Sequence, residues 1–104
     1  MAFRSDMDAV ILSVLESGPK HGYGIVKELV KESNGLIRVG EGQLYPALHK
    51  LEEGGLVTSQ WTPQNGKPSK KIYALTGNGK NELDSHRRCW TEFRSSINSV
   101  LRVD

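Results

Sequence analysis

The chain has 104 residues, a net charge of +2, 37% hydrophobic residues and a single cysteine, Cys89. That length implies one domain, able to bury roughly 65% of its unfolded surface without staples. The lone cysteine excludes an intramolecular disulfide, no apolar run approaches the roughly 20 residues of a membrane helix, and no signal-peptide core opens the chain, so a reducing, cytoplasmic setting is expected.

Met7, Val10, Ile11, Val14 and Leu15 recur at helical spacing, with Ser5 or Asp6 as cap and Gly18-Pro19 as stop. They predict a first helix whose stripe enters the core. Lys20 to Gly24 reads as a tight connection into a second helix with the stripe Ile25, Val26, Leu29 and Val30, closed by Ser33-Asn34-Gly35. His21 could be a metal ligand or a base, but no second ligand stands at chelating spacing, which favours a plain loop residue near a helix start. Gly22 and Gly24 lack the preceding strand and full glycine pattern of a nucleotide loop. Leu36 to Val39 is a small strand or an extended linker.

Gly40 to Leu56 organises the rest. Leu44, Ala47, Leu48 and Leu51 form one apolar stripe, while Gln43, Tyr45, His49 and Lys50 point elsewhere. Gly40 is the expected N-cap, Glu41 suits the positive end of the helix, and Gly54-Gly55 stops it. Pro46 should kink or tighten the helix, because it removes a backbone hydrogen bond. A helix anchored on one side and donor-rich on the other suits a recognition helix. An ordinary core helix has the same stripe, so the residues beyond Leu56 decide between the two.

Leu56 to Thr62 and Lys70 to Leu75 read as strands around a turn at Asn65-Gly66. Lys67, Lys70 and Lys71 lie on this hairpin, and no Asp or Glu occurs from Gly54 to Asn81. A basic strip in a nearly neutral chain points to an anionic partner met at one face. Three helices followed by a basic hairpin is the order of a winged helix-turn-helix. The expected fold is therefore α+β, mostly α: a winged helix-turn-helix with a two-stranded wing over residues 1–76, then a C-terminal dimerisation helix over 77–104.

Thr76 can cap that last helix. Leu83, Trp90 and Ile97 fall seven apart, and His86, Phe93 and Val100 follow each by three, giving an a/d seam. The seam could fold back on its own domain. Because the preceding elements suffice for a core, Leu83, Trp90, Phe93, Ile97 and Val100 are assigned to a homodimer interface. His86, Cys89, Asp84 and Glu92 are too thin a set for a metal site. No cofactor is expected. Nor is an enzyme, since there is no nucleophile elbow, metal set or phosphate-cradling loop.

Four motifs make the chain similar to a known family: Gly18-Pro19-Lys20-His21-Gly22-Tyr23-Gly24-Ile25, Gly42-Gln43-Leu44-Tyr45-Pro46-Ala47-Leu48, Leu51-Glu52-Glu53-Gly54-Gly55-Leu56 and Lys70-Lys71-Ile72-Tyr73-Ala74-Leu75-Thr76. In this order, spanning about Met7 to Gly79, they resemble the PadR family of bacterial transcriptional regulators, in particular its small members with one short C-terminal helix. The resemblance implies a homodimeric repressor on a near-palindromic operator, and it places Leu44-Tyr45-Pro46 in the recognition helix. Gly40-Glu41 and Gln43 depart from residues commoner in the family, so no operator sequence carries over.

On this reading Gln43 faces adenine, and His49 and Lys50 face guanine or phosphate. Tyr45 and the helix start near His21 and Tyr23 meet phosphates, and Lys67, Lys70 and Lys71, with Tyr73 on the same hairpin, meet phosphates or the minor groove. About four to five phosphates per subunit would give the dimer a log K against log salt slope of roughly −7 to −9, at about −0.9 per phosphate. The resemblance also makes Trp90, with Phe93 nearby, the candidate stacking plate for a flat aromatic or cationic effector, although plain dimer core is the favoured reading of this tryptophan. A second class of function is a winged-helix module that docks protein, which the acid-free strip argues against.

Overall fold

Met7 starts a ten-residue helix, α1 (Met7–Glu16), in a computed structural model that describes residues 6–103. Its stripe buries Ile11, Leu12, Val14 and Leu15, and the turn at Ser17-Gly18 ends it. Ser5 lies outside the described residues. Asp6 occupies the N-cap position, but its side chain makes no cap hydrogen bond. It accepts instead from the Trp90 indole N–H at 2.7 Å and pairs with His86 at 3.4 Å. The carboxylate therefore ties the start of the first helix to the last one.

The connection after Pro19 is not a simple loop. Lys20–His21 forms a short strand, β1, antiparallel to the return strand of the hairpin, with Lys20 opposite Tyr73 and His21 opposite Ile72. The two-stranded wing expected from the sequence is thus part of a three-stranded sheet, ordered β1-β3-β2. Helix α2 (Gly22–Glu32) follows at once and buries Ile25 and Leu29. Asn34 and Gly35 both take positive φ at its end, and the Gly35 N–H donates to the Val30 carbonyl at 2.7 Å. Residues 36–39 are an extended linker without ladder pairing, from which Val39 is buried.

Helix α3 (Glu41–Glu53) begins after Gly40, as expected, and runs through Pro46 without a break. Both Pro46 and Gly42, four residues earlier, are exposed, so the carbonyl that loses its helical partner can be hydrated. The left-handed residue at its end is Gly55 (φ 75°), which lets the Leu56 N–H reach back to the Leu51 carbonyl at 2.9 Å. The hairpin is longer than its apolar pattern indicates: β2 (Val57–Gln64) and β3 (Lys67–Leu75) continue to the turn at Asn65-Gly66.

Helix α4 (Gly77–Leu101) has 25 residues. Thr76 caps it as expected: its hydroxyl oxygen accepts from the Gly79 N–H at 3.0 Å and donates to the Gly55 carbonyl at 2.7 Å. The first turns of α4 belong to the common core. Leu83 is 1% exposed and packs with Ile11, Leu15, Ile25, Leu44, Leu48 and Val57. The far end carries Val100, Leu101 and Val103 in solvent. The result is a mostly helical α+β winged helix-turn-helix with a projecting C-terminal helix. None of the described helices is long and apolar enough to cross a membrane.

Candidate nucleic-acid interface

Leu44, Leu48 and Leu51 pin one side of α3 into the core. Helical geometry then forces Gln43, Tyr45, His49 and Lys50 outward, and all four are exposed. The Tyr45 ring lies over the start of α2, where its hydroxyl and Cζ occupy the space that a β-carbon on Gly22 would need. This brings the tyrosine hydroxyl to the α2 N-terminus, whose first backbone N–H groups have no intrahelical partner. Tyr23, on the first turn of α2, is exposed, with the Lys27 ammonium 5.5 Å from its ring centre and the His21 ring edge-on at 6.5 Å. His21 itself is held in β1, which favours the plain structural role over a ligand or a base.

Two residues of this group depart from a purely basic face. His49 stands 3.4 Å from Glu53 one turn on, so its imidazole lies beside an acid. Tyr73 is not on the surface: it is 5% exposed, and its phenol is held above its ordinary pKa, first by burial, then by the nearby Glu52 carboxylate and Tyr45. A buried ring cannot reach a phosphate, so Tyr73 is corrected to a core residue that supports the face.

The wing lysines divide. Lys67 and Lys70 are exposed. Lys71 is half-buried. Its ammonium is 3.7 Å from the Glu52 carboxylate at the end of α3 and lies over both Trp61 (5.9 Å) and Tyr73 (5.6 Å). Glu52 also accepts the Ser59 hydroxyl. Sequence reasoning assigned no role to Glu52 or Trp61. The alternation along the strands could have flagged Trp61, which sits opposite Lys71 in the ladder and is 65% exposed.

The residues assigned to the seam also separate. Leu83 is corrected to the subunit's own core. Trp90 and Phe93 are half-buried and meet edge-on, with ring centres 5.8 Å apart. With Ile97 they line an apolar groove of about 280 Å³. On its other side Trp90 walls an open cavity of about 400 Å³ between the start of α1 and the 36–39 linker, with Arg38 and Gln43 also lining it. Cys89 is exposed, and no cluster of metal-ligating side chains occurs among the described residues.

Residues 11–85 of this chain match the model of the transcriptional regulator PadR-like family. The chain belongs to that family. Against the negative transcriptional regulator PadR of Bacillus subtilis it is 38% identical over 73 residues, covering 70% of this chain but only 40% of that protein. The chain thus spans less than half the length of that curated relative. It matches a PadR family transcription regulator from Clostridium difficile over 91% of its own length and 97% of the other's, at 31% identity and a TM-score of 0.79. The Bacillus subtilis PadR structure in complex with operator DNA matches 76% of this chain and 45% of that one, with 35% identity and a TM-score of 0.70. The PadR-like match therefore runs from the middle of α1 through α2, α3 and the wing to the first turns of α4.

Proposed function

We propose that this chain is a homodimeric, sequence-specific DNA-binding repressor. The observation that carries the reading is that the polar side chains of α3 and the wing lysines Lys67 and Lys70 are all exposed, on a fold shared with a protein crystallised on its operator. Gln43 offers paired donor and acceptor groups to adenine in the major groove, and Lys50 offers donors to guanine or phosphate. His49 joins them when it leaves Glu53. Tyr45 and the α2 start near His21 and Tyr23 take one phosphate, and Lys67 and Lys70 take others along the wing. Phosphate contacts set register and affinity, and base contacts set sequence.

The dimer places two such faces on successive major grooves, about 34 Å apart. Ile97 and Val100, together with Trp90 and Phe93, supply the apolar side of α4 for that contact. A flat aromatic or cationic effector would enter beside Trp90, where the cavity also touches Gln43. A ligand there would act directly on the reading helix and release DNA.

The test is fluorescence anisotropy with the DNA upstream of the protein's own gene, at several salt concentrations and with excess random competitor. Competitor-resistant binding with a steep slope, roughly −5 to −7 for the three to four phosphates per subunit that remain at about −0.9 each, supports the dimeric repressor. Binding no tighter than to random duplex, without a steep slope, favours the protein-docking reading. Aromatic cations are then screened for release in the same assay.

A further inference from the structure

Of the three wing lysines, Lys67 and Lys70 are exposed and Lys71 is paired with Glu52. Ser59, Trp61, Lys71 and Tyr73 lie on one face of the β2–β3 ladder, because Ser59 pairs with Tyr73 and Trp61 with Lys71. The inner end of this face is core: Val57 and Tyr73 are buried. Its outer end overhangs the last turn of α3. There Glu52 accepts the Ser59 hydroxyl and faces the Lys71 ammonium, while the Trp61 and Tyr73 rings flank the lysine. Side-chain exposure is 36% for Lys71 and 34% for Glu52, so the pair is partly withdrawn from solvent. Lys70, the next residue, points to the opposite face and is exposed.

We propose that Glu52 masks Lys71 from the DNA backbone, so that it sets the wing's position and limits sequence-independent affinity. This rests on the DNA-binding reading above. Non-specific affinity is counterion release, and it scales with the number of phosphates that a protein neutralises. A lysine whose ammonium is held by a carboxylate and lies over two aromatic rings neutralises none. Glu52 is therefore a positioning residue that acts through Lys71. It keeps the wing pinned to the reading helix and leaves Lys67 and Lys70 to count phosphates.

The experiment titrates wild type, Glu52→Gln, Lys67→Gln and the double variant Glu52→Gln/Lys71→Gln into a random-sequence 30-base-pair duplex across a salt series. Glutamine keeps an acceptor for Ser59, and thermal melts confirm that each variant is folded. Glu52→Gln frees Lys71, so its slope is expected to steepen by about 1.8 per dimer, with tighter random-duplex binding, while Lys67→Gln becomes shallower by about the same amount. The double variant is expected to return to the wild-type slope, which a merely structural role for Glu52 would not produce. A Glu52→Gln slope equal to that of wild type overturns the proposal. So does a double variant as shallow as Lys67→Gln, since Lys71 would then already contact phosphate in the wild type. Wild type without any salt-dependent binding overturns the DNA reading itself, and the masking with it.

Discussion

At Gly22 and Gly79 a single absent methyl group decides how two elements meet. A β-carbon on Gly22 would strike the Tyr45 side chain, with Cζ at 2.8 Å. That ring is half-exposed and can swing outward, so Gly22→Ala should cost little stability. It should cost function, because the hydroxyl leaves the α2 start. The loss of one hydrogen bond to a charged group in each subunit predicts DNA binding weaker by about 1.5–3 kcal/mol per half-site, read by anisotropy beside a nearly unchanged melting curve. Gly79 is the opposite case. Its β-carbon would meet the Leu56 carbonyl group, with the carbonyl carbon at 3.0 Å, and Leu75 Cδ1 at 2.7 Å. Backbone cannot swing aside, so Gly79→Ala should destabilise the fold by about 1–3 kcal/mol, measured by denaturant unfolding. In the sequence both glycines look alike: small residues near helix starts. What separates them is the neighbour, which lies 23 residues away in chain order for each.

Between elements, the joint of α1 with α4 adds an ion pair to the apolar packing. Arg87 donates to both oxygens of Glu16, at 2.9 and 3.2 Å, and to the Ser13 hydroxyl at 3.4 Å. The guanidinium's hydrogen bonds hold the Glu16 carboxyl below the usual glutamate range. The folded pKa is depressed relative to the unfolded one, so this contribution is present above the ordinary glutamate range and is lost as pH falls through the folded value. Arg87→Ala should remove that part of the acid limb: its melting temperature should fall less steeply below about pH 4.5 than that of wild type. The pair is exposed, so the difference is expected to be small. Joints of this kind were poorly legible in the sequence, whereas the elements themselves were plain. The stripe Leu44, Leu48 and Leu51, the Thr76 cap and the Asn65-Gly66 turn are local patterns, and each is present. Strand β1 is two residues long and has no periodicity of its own; only its pairing with Ile72 and Tyr73 makes it a strand. Asp6 read as a cap because capping is local, yet its partners are Trp90 and His86 on another helix. The basic wing was legible as composition, but the pairing of Lys71 with Glu52 was not, because it depends on how the hairpin folds against α3.

At the scale of the whole molecule, shape separates two roles that a heptad pattern merges. The described residues extend 56 × 28 × 22 Å, and a helix of 25 residues is itself about 37 Å long at about 1.5 Å per residue. The long axis therefore reflects α4 leaving the body. Its first turns are anchored by Gly79 and Leu83, and its last turns present Val100 at 77% and Leu101 at 64% exposure. An apolar end of this kind is costly to leave in water and suits a twofold contact in which each helix covers the other. Substitutions in the two halves should then fail differently. Ile97→Asp with Val100→Asp places charges only in the distal half, so the variant should melt as a folded monomer and sediment at half the wild-type mass. Its DNA affinity should drop to that of one half-site. Leu83→Ala opens a cavity in the subunit core and should lower unfolding stability by about 2–5 kcal/mol. If the distal double variant stays dimeric in sedimentation, the contact between subunits lies elsewhere on the molecule. The exposed face of the 36–39 linker, where Leu36 is 88% in solvent, would then be the next surface to substitute.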